Sequence, residues 1–155
     1  MSDPYETGRP IPADRMVGFW PSLFLAIGNY FAFDGRSSRG AYWWYVVWLI
    51  LLGVLTGSLD MIVFPYLVFA EPSFSPLYSL TTLLTFFPSL TIAVRRLHDI
   101  GKSGWWLLLI LTGIGILLII YWAAQPGERE ENIYGADHEA GRSRVGAQVR
   151  ERRSA

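Results

Sequence analysis

Arg95, Arg96, His98, Asp99 and Lys102 lie between two strongly apolar stretches of the chain, and Arg36 and Arg39 precede another. A guanidinium binds phosphate through parallel N–H donors. Arg36, Arg39, Arg95, Arg96 and Lys102 would therefore suit a lipid phosphate if they converged at one headgroup level. Near an anionic leaflet each such cation contributes about 1 kcal/mol of attraction. His98 would suit proton transfer at that phosphate if Asp99 oriented its ring. Adjacent residues do not share a helix face, which counts against this dyad, and no residue is assigned as catalytic.

A purely structural role fits the same residues. Arg95 and Arg96 precede Asp99 by four and three positions, so both pairs can meet on a helix surface. Cations suit a helix C-terminus, Gly101 suits a left-handed cap, and Ser103 suits the start of a following helix. Gly104, Trp105 and Trp106 complete the segment RRLHDIGKSGWW.

Composition excludes several chemistries. The chain has 155 residues, no Cys and two His. Disulfides, thiol catalysis and Cys-based metal centres are ruled out, and no metal ligand set or cofactor motif is found. Hydrophobic residues make up 52% and charged residues 17%, against about 25% charged in soluble domains. With 13 basic and 13 acidic side chains the net charge is zero, so no nucleic-acid partner is expected. The balance points to a membrane protein.

The elements that must position these residues follow from where charge is missing. A spanning helix needs about 20 apolar residues. Residues 41–59, 77–94 and 105–124 meet that test, and inside hydrocarbon they must be helical. Residues 16–33 carry a helical stripe of Val17, Trp20, Phe24, Ile27 and Phe31, interrupted by Gly18, Ser22, Gly28 and Asn29. The interruptions favour a helix lying in the interface, with a fourth span as the alternative. Residues 61–70 are apolar, too short to span, and split by Pro65. Residues 1–15 are a polar segment without the basic start and apolar core of a signal peptide. Residues 125–155 form a polar tail, expected to be largely disordered. The expected fold is all-α: a polytopic membrane bundle with a domain over 34–124, three transmembrane helices and an N-terminal interfacial helix.

Lys and Arg favour cytoplasmic loops. The loops holding Arg36 and Arg39, and Arg95, Arg96 and Lys102, are basic, whereas Asp60 and Glu71 lie between the first two spans. Three spans then place the tail outside, although it contains six Arg, five of them at 142–153. Tyr42, Trp43, Trp44, Tyr45, Trp105 and Trp106 are expected at the cytoplasmic interface, and Tyr121 and Trp122 at the opposite one.

Gly53 and Gly57 in the first span, and Gly113 and Gly115 in the third, are expected to let helices approach closely, within one chain or in a homo-oligomer. The second span is rich in hydroxyls, with Thr82, Thr85 and Ser89 on one face with Tyr78. Hydroxyls can also satisfy the carbonyl that Pro88 leaves without a donor.

Three segments together carry a resemblance: FAFDGRSSRGAYWWY at 31–45, RRLHDIGKSGWW at 95–106 and PGEREENIYGAD at 126–137. They resemble the signatures of the domain of unknown function 805 family, over roughly residues 19–138. Where the family usually has an acidic residue before the Tyr-Trp pair, this chain has Gly40 and Ala41. The resemblance implies a multi-pass protein of the bacterial inner membrane and no assigned activity. The preferred reading is non-enzymatic, binding anionic membrane lipid or a membrane protein partner through the Arg-rich face. An oligomeric transporter or channel subunit and an enzyme acting on a phosphorylated headgroup are the alternatives.

Overall fold

In the computed structural model, which describes residues 17–70, 74–128 and 132–135, two helices rather than three are long and apolar enough to cross a bilayer. The elements are α1 (Phe19–Gly28), α2 (Arg39–Val63), α3 (Pro65–Phe69), α4 (Pro76–Asp99), a 3₁₀ segment (Gly104–Thr112) and α5 (Gly115–Ala124). Among the described residues there is no β-strand. The polar segment 1–15 and the tail beyond 135 lie outside the described residues.

α2 and α4 contain 25 and 24 residues, about 37 Å each at 1.5 Å per residue, and pack as an antiparallel pair. Ser38 caps α2 by accepting the Ala41 N–H. At its other end Asp60, fully buried, accepts the Leu77 and Tyr78 N–H groups at 2.9 Å. These are orphan donors in the first turn of α4, where the helix dipole favours a carboxylate. Asp60 thus ties the end of one spanning helix to the start of the other, a role that its place in an acidic loop did not reveal.

Pro88 lies inside α4 and cannot donate to the carbonyl four residues earlier. That carbonyl, on Leu84, accepts the Tyr30 hydroxyl at 2.7 Å. The hydroxyls of α4 mostly return to their own helix: Thr82 to the Tyr78 carbonyl, Thr85 to Thr81 and Ser89 to Thr85.

α1 has ten residues, about 15 Å, too short for a fourth span. Its small face packs inward: Ser22 and Ala26 are buried, and Ala26 joins Ala41, Tyr45 and Ile92 in one cluster. Trp20, Phe24, Ile27 and Phe31 are exposed, Phe24 being 69% exposed. This is the reverse of a helix on a water-soluble core. Phe19 stacks on Trp48 at 4.2 Å and its carbonyl accepts the Trp48 indole N–H.

The expected third span, 105–124, is not one helix. The chain leaves the Arg-rich end of the bundle as a 3₁₀ helix, turns at Gly113 and returns as α5. Nine 3₁₀ residues rise about 18 Å and ten α-helical residues about 15 Å, so each arm alone is shorter than the roughly 30 Å of hydrocarbon a span must cross. Apolar length alone could not distinguish one crossing from two half-crossings. Gly113 adopts a positive φ of 72°, a region open to glycine. A Cβ on Gly115 would lie 2.0 Å from the Leu109 carbonyl oxygen, so the arms can meet only at a glycine. The apex supplies its own hydrogen bonds: Thr112 Oγ1 donates to the Leu109 carbonyl and accepts the Gly115 N–H. Trp122 consequently stands beside Trp106, with ring centroids 5.7 Å apart, and not at the opposite interface. Gly53 faces Tyr78 across the α2–α4 contact, its would-be Cβ 3.5 Å from the ring, whereas Gly57 has nothing within 4 Å.

Candidate functional site

The polar residues singled out in the sequence gather at one end of the bundle, where α2 starts, α4 ends and the hairpin begins and finishes. Asp99 occupies the centre. It ends α4, where the helix dipole disfavours a carboxylate, and it is only 5% exposed. Two guanidiniums offset both costs. Nε and Nη2 of Arg36 each lie 2.9 Å from Oδ1, and Nη1 of Arg96 donates to Oδ2. Both arginines are 1% exposed.

The remaining donors of these arginines organise the chain ends. Arg96 donates to the carbonyls of Ala123, Gln125 and Ser37. Arg36 donates to the carbonyls of Glu128 and Gly135. Glu128 N–H in turn donates to the Asp99 carbonyl at 2.8 Å. Residues 125–128 and 132–135 are thereby strapped over the end of α4, at the same end of the bundle as the basic loops. Because α5 returns, its exit lies beside Arg96.

Two glycines admit the strap. A Cβ on Gly127 would stand 2.2 Å from Asp99 Oδ2, and one on Gly101 would stand 2.2 Å from Glu128 Oε1. Gly101 also has a positive φ of 69°, suited to the end of α4. Asn132, Tyr134 and Gly135 form a turn closed by reciprocal Asn132–Gly135 backbone bonds. Asn132 donates to the His98 carbonyl and to Glu128, and its Oδ1 accepts the Tyr134 N–H.

His98 does not pair with Asp99. Its ring lies flat on Tyr134, with centroids 3.8 Å apart and planes within 3°, and Nδ1 is 3.2 Å from the Gly35 carbonyl. The motif therefore builds no acid–base dyad. Neighbouring side chains leave a helix about 100° apart, and here one meets the strap and the other the arginines.

The other cations differ in their surroundings. Arg95 donates to Asn29 Oδ1 at 2.6 Å, tying the end of α1 to α4. The Lys102 ammonium lies 4.6 Å from the Trp122 ring centroid. Arg39 is exposed at the first turn of α2. Ser103 accepts the Trp105 N–H at the head of the 3₁₀ segment, Gly104 lies against Val94, and Trp105 and Trp106 are exposed. Among the described residues no group of three or more metal-ligating side chains occurs, and no buried side-chain nitrogen or oxygen lacks a hydrogen-bond partner.

Sequence reasoning missed Asn29, Asn132 and Tyr134 as parts of this joint. The one available signal was their presence in or beside short polar segments flanking the spans.

Comparison with known proteins agrees with these boundaries. A family model described as "Protein of unknown function (DUF805)" matches residues 30–136, a range that starts at Tyr30 and ends just past the strap. The inner membrane protein YhaH of Escherichia coli K12 is 36% identical over 110 residues, covering 70% of this chain and 88% of YhaH. The inner membrane protein YhaI of the same organism is 35% identical over 114 residues, covering 73% of this chain and 91% of YhaI. No solved structure matches. With the match running through all three polar segments and the joint that they form, the chain belongs to the DUF805 family.

Proposed function

We propose that the chain is a non-enzymatic protein of the bacterial inner membrane, with two spans and a re-entrant hairpin. Its Arg-rich end and its strap face the cytoplasm, and it holds anionic lipid there. The observation that carries this reading is the closed joint. Asp99, Arg36, Arg96 and His98 are engaged with one another's segments, so the residues best suited to chemistry serve architecture. The names of the two relatives support the membrane. The orientation draws support from charge: with the strap beside the basic loops, the five Arg at 142–153 no longer conflict with the preference of Lys and Arg for the cytoplasmic side.

The lipid contact narrows to Arg39 and Lys102, the cations at that end least engaged by the joint. Phosphatidylglycerol retained by the purified protein, measured by native mass spectrometry, is the test. At about 1 kcal/mol per cation, replacing both by Gln weakens retention roughly thirtyfold. Unchanged retention in a folded variant rejects the lipid reading. The topology has its own readout. A C-terminal fluorescent reporter that matures only in the cytoplasm is expected to be bright, and a C-terminal phosphatase that works only outside is expected to be silent. The opposite pattern rejects the re-entrant hairpin.

A further inference from the structure

The two halves of the bundle differ in width. Around the Arg-rich half, the first turns of α2 and the last turns of α4 are joined by α1 and by both arms of the hairpin. α1 is pinned to that half at both ends, through the Trp48 indole on the Phe19 carbonyl and through Asn29 on Arg95. The hairpin core of Leu107 and Ile119 packs with Leu90, Ala93, Val94, Leu97 and Ile100 of the C-terminal part of α4 and its cap. The far half holds the remainder of α2 and α4, joined at Asp60, and the five residues of α3.

We propose that the protein is a membrane wedge: its Arg-rich half displaces more lipid than its far half, so it prefers bilayers in which the Arg-rich side is convex. The occupant of its outer faces is acyl chain. Trp20, Phe24 and Ile27 of α1 and Leu108, Leu111 and Leu117 of the hairpin are exposed, and each belongs to an element too short to cross. Elements that enter a single leaflet expand that leaflet, and their binding depends on curvature. Five helical segments in the Arg-rich half, against two long helices and the five-residue α3 in the far half, is an asymmetry that lipid must absorb, because the packed interior does not deform continuously.

This inference rests on the membrane reading and deepens it. The test is reconstitution of the full chain, carrying a short protease-cleavable C-terminal tag, into vesicles of one neutral lipid composition and several radii. The tag lies on the Arg-rich side through the strap, so external protease reports the fraction of molecules with that side outward. Expected is a fraction near even in the largest vesicles that shifts to a clear majority in the smallest. A fraction independent of radius in co-floating protein overturns the wedge, including the case where a second copy fills the narrow half. Failure to co-float with vesicles of any size overturns the membrane reading itself.

Discussion

Asp99→Asn is expected to unfold the Arg-rich end of the molecule. The side chain keeps its shape but loses its charge, leaving the buried guanidiniums of Arg36 and Arg96 without an anion. Removing one partner from a buried charge network costs about 3–5 kcal/mol, because the residual charge remains desolvated. Thermal unfolding in mild detergent should show a large drop in midpoint. A companion variant separates charge from packing. Replacing Asp99, Arg36 and Arg96 together by Leu, Met and Met removes every uncompensated charge, and such replacements are often neutral or stabilising in cores. The triple variant is therefore expected to be more stable than Asp99→Asn alone. Equal unfolding midpoints for Asp99→Asn and the unaltered chain would show that the two arginines do not depend on this carboxylate.

That network also marks how far the sequence was legible. The two long spans and the short N-terminal helix follow from apolar length and periodicity, and their existence needed no structure. The segments at 31–45, 95–106 and 126–137 stood out as polar, but helix geometry is local. It could pair Arg96 with Asp99 three positions on, whereas Arg36 lies 63 residues from Asp99, a separation with no period to read. The hairpin was hidden for a different reason. Twenty apolar residues satisfy the length of a span whether they cross once or turn back, and only Thr112, Gly113 and Gly115 at the middle signalled the turn. For α1 the stripe was visible but its direction was not. Ser22 and Ala26 turn in, and the apolar stripe is left exposed.

Gly127→Ala is expected to lift the strap. The new methyl would lie 2.2 Å from Asp99 Oδ2, and Asp99 cannot retreat while two arginines hold it, so the strap must yield. Overpacking of this type costs about 1–3 kcal/mol. The Glu128 N–H, bonded to the Asp99 carbonyl, is the direct reporter. Its hydrogen exchange should accelerate about five- to hundredfold, following the conversion of 1.4 kcal/mol to a factor of ten. Exchange at Gly135 should follow, since Asn132 and Arg36 hold that turn to the same place. The control is Gly57→Ala, where nothing lies within 4 Å and exchange in the strap should not change. Unaltered protection of Glu128 in Gly127→Ala would mean that the strap is held from elsewhere.

The strap has a consequence for how the molecule is made. Arg36 leaves the ribosome 63 residues before its counter-charge and 99 residues before Gly135, its last strap partner. At about 5–20 residues per second, that interval is roughly 5–20 s. During it the first span must be accommodated while a cation destined for burial still keeps its water. The final bonds come from residues 123–135, so the joint can close only near the end of synthesis. Chains released before that point would carry the complete set of apolar segments and yet lack the bonds that close over Arg36.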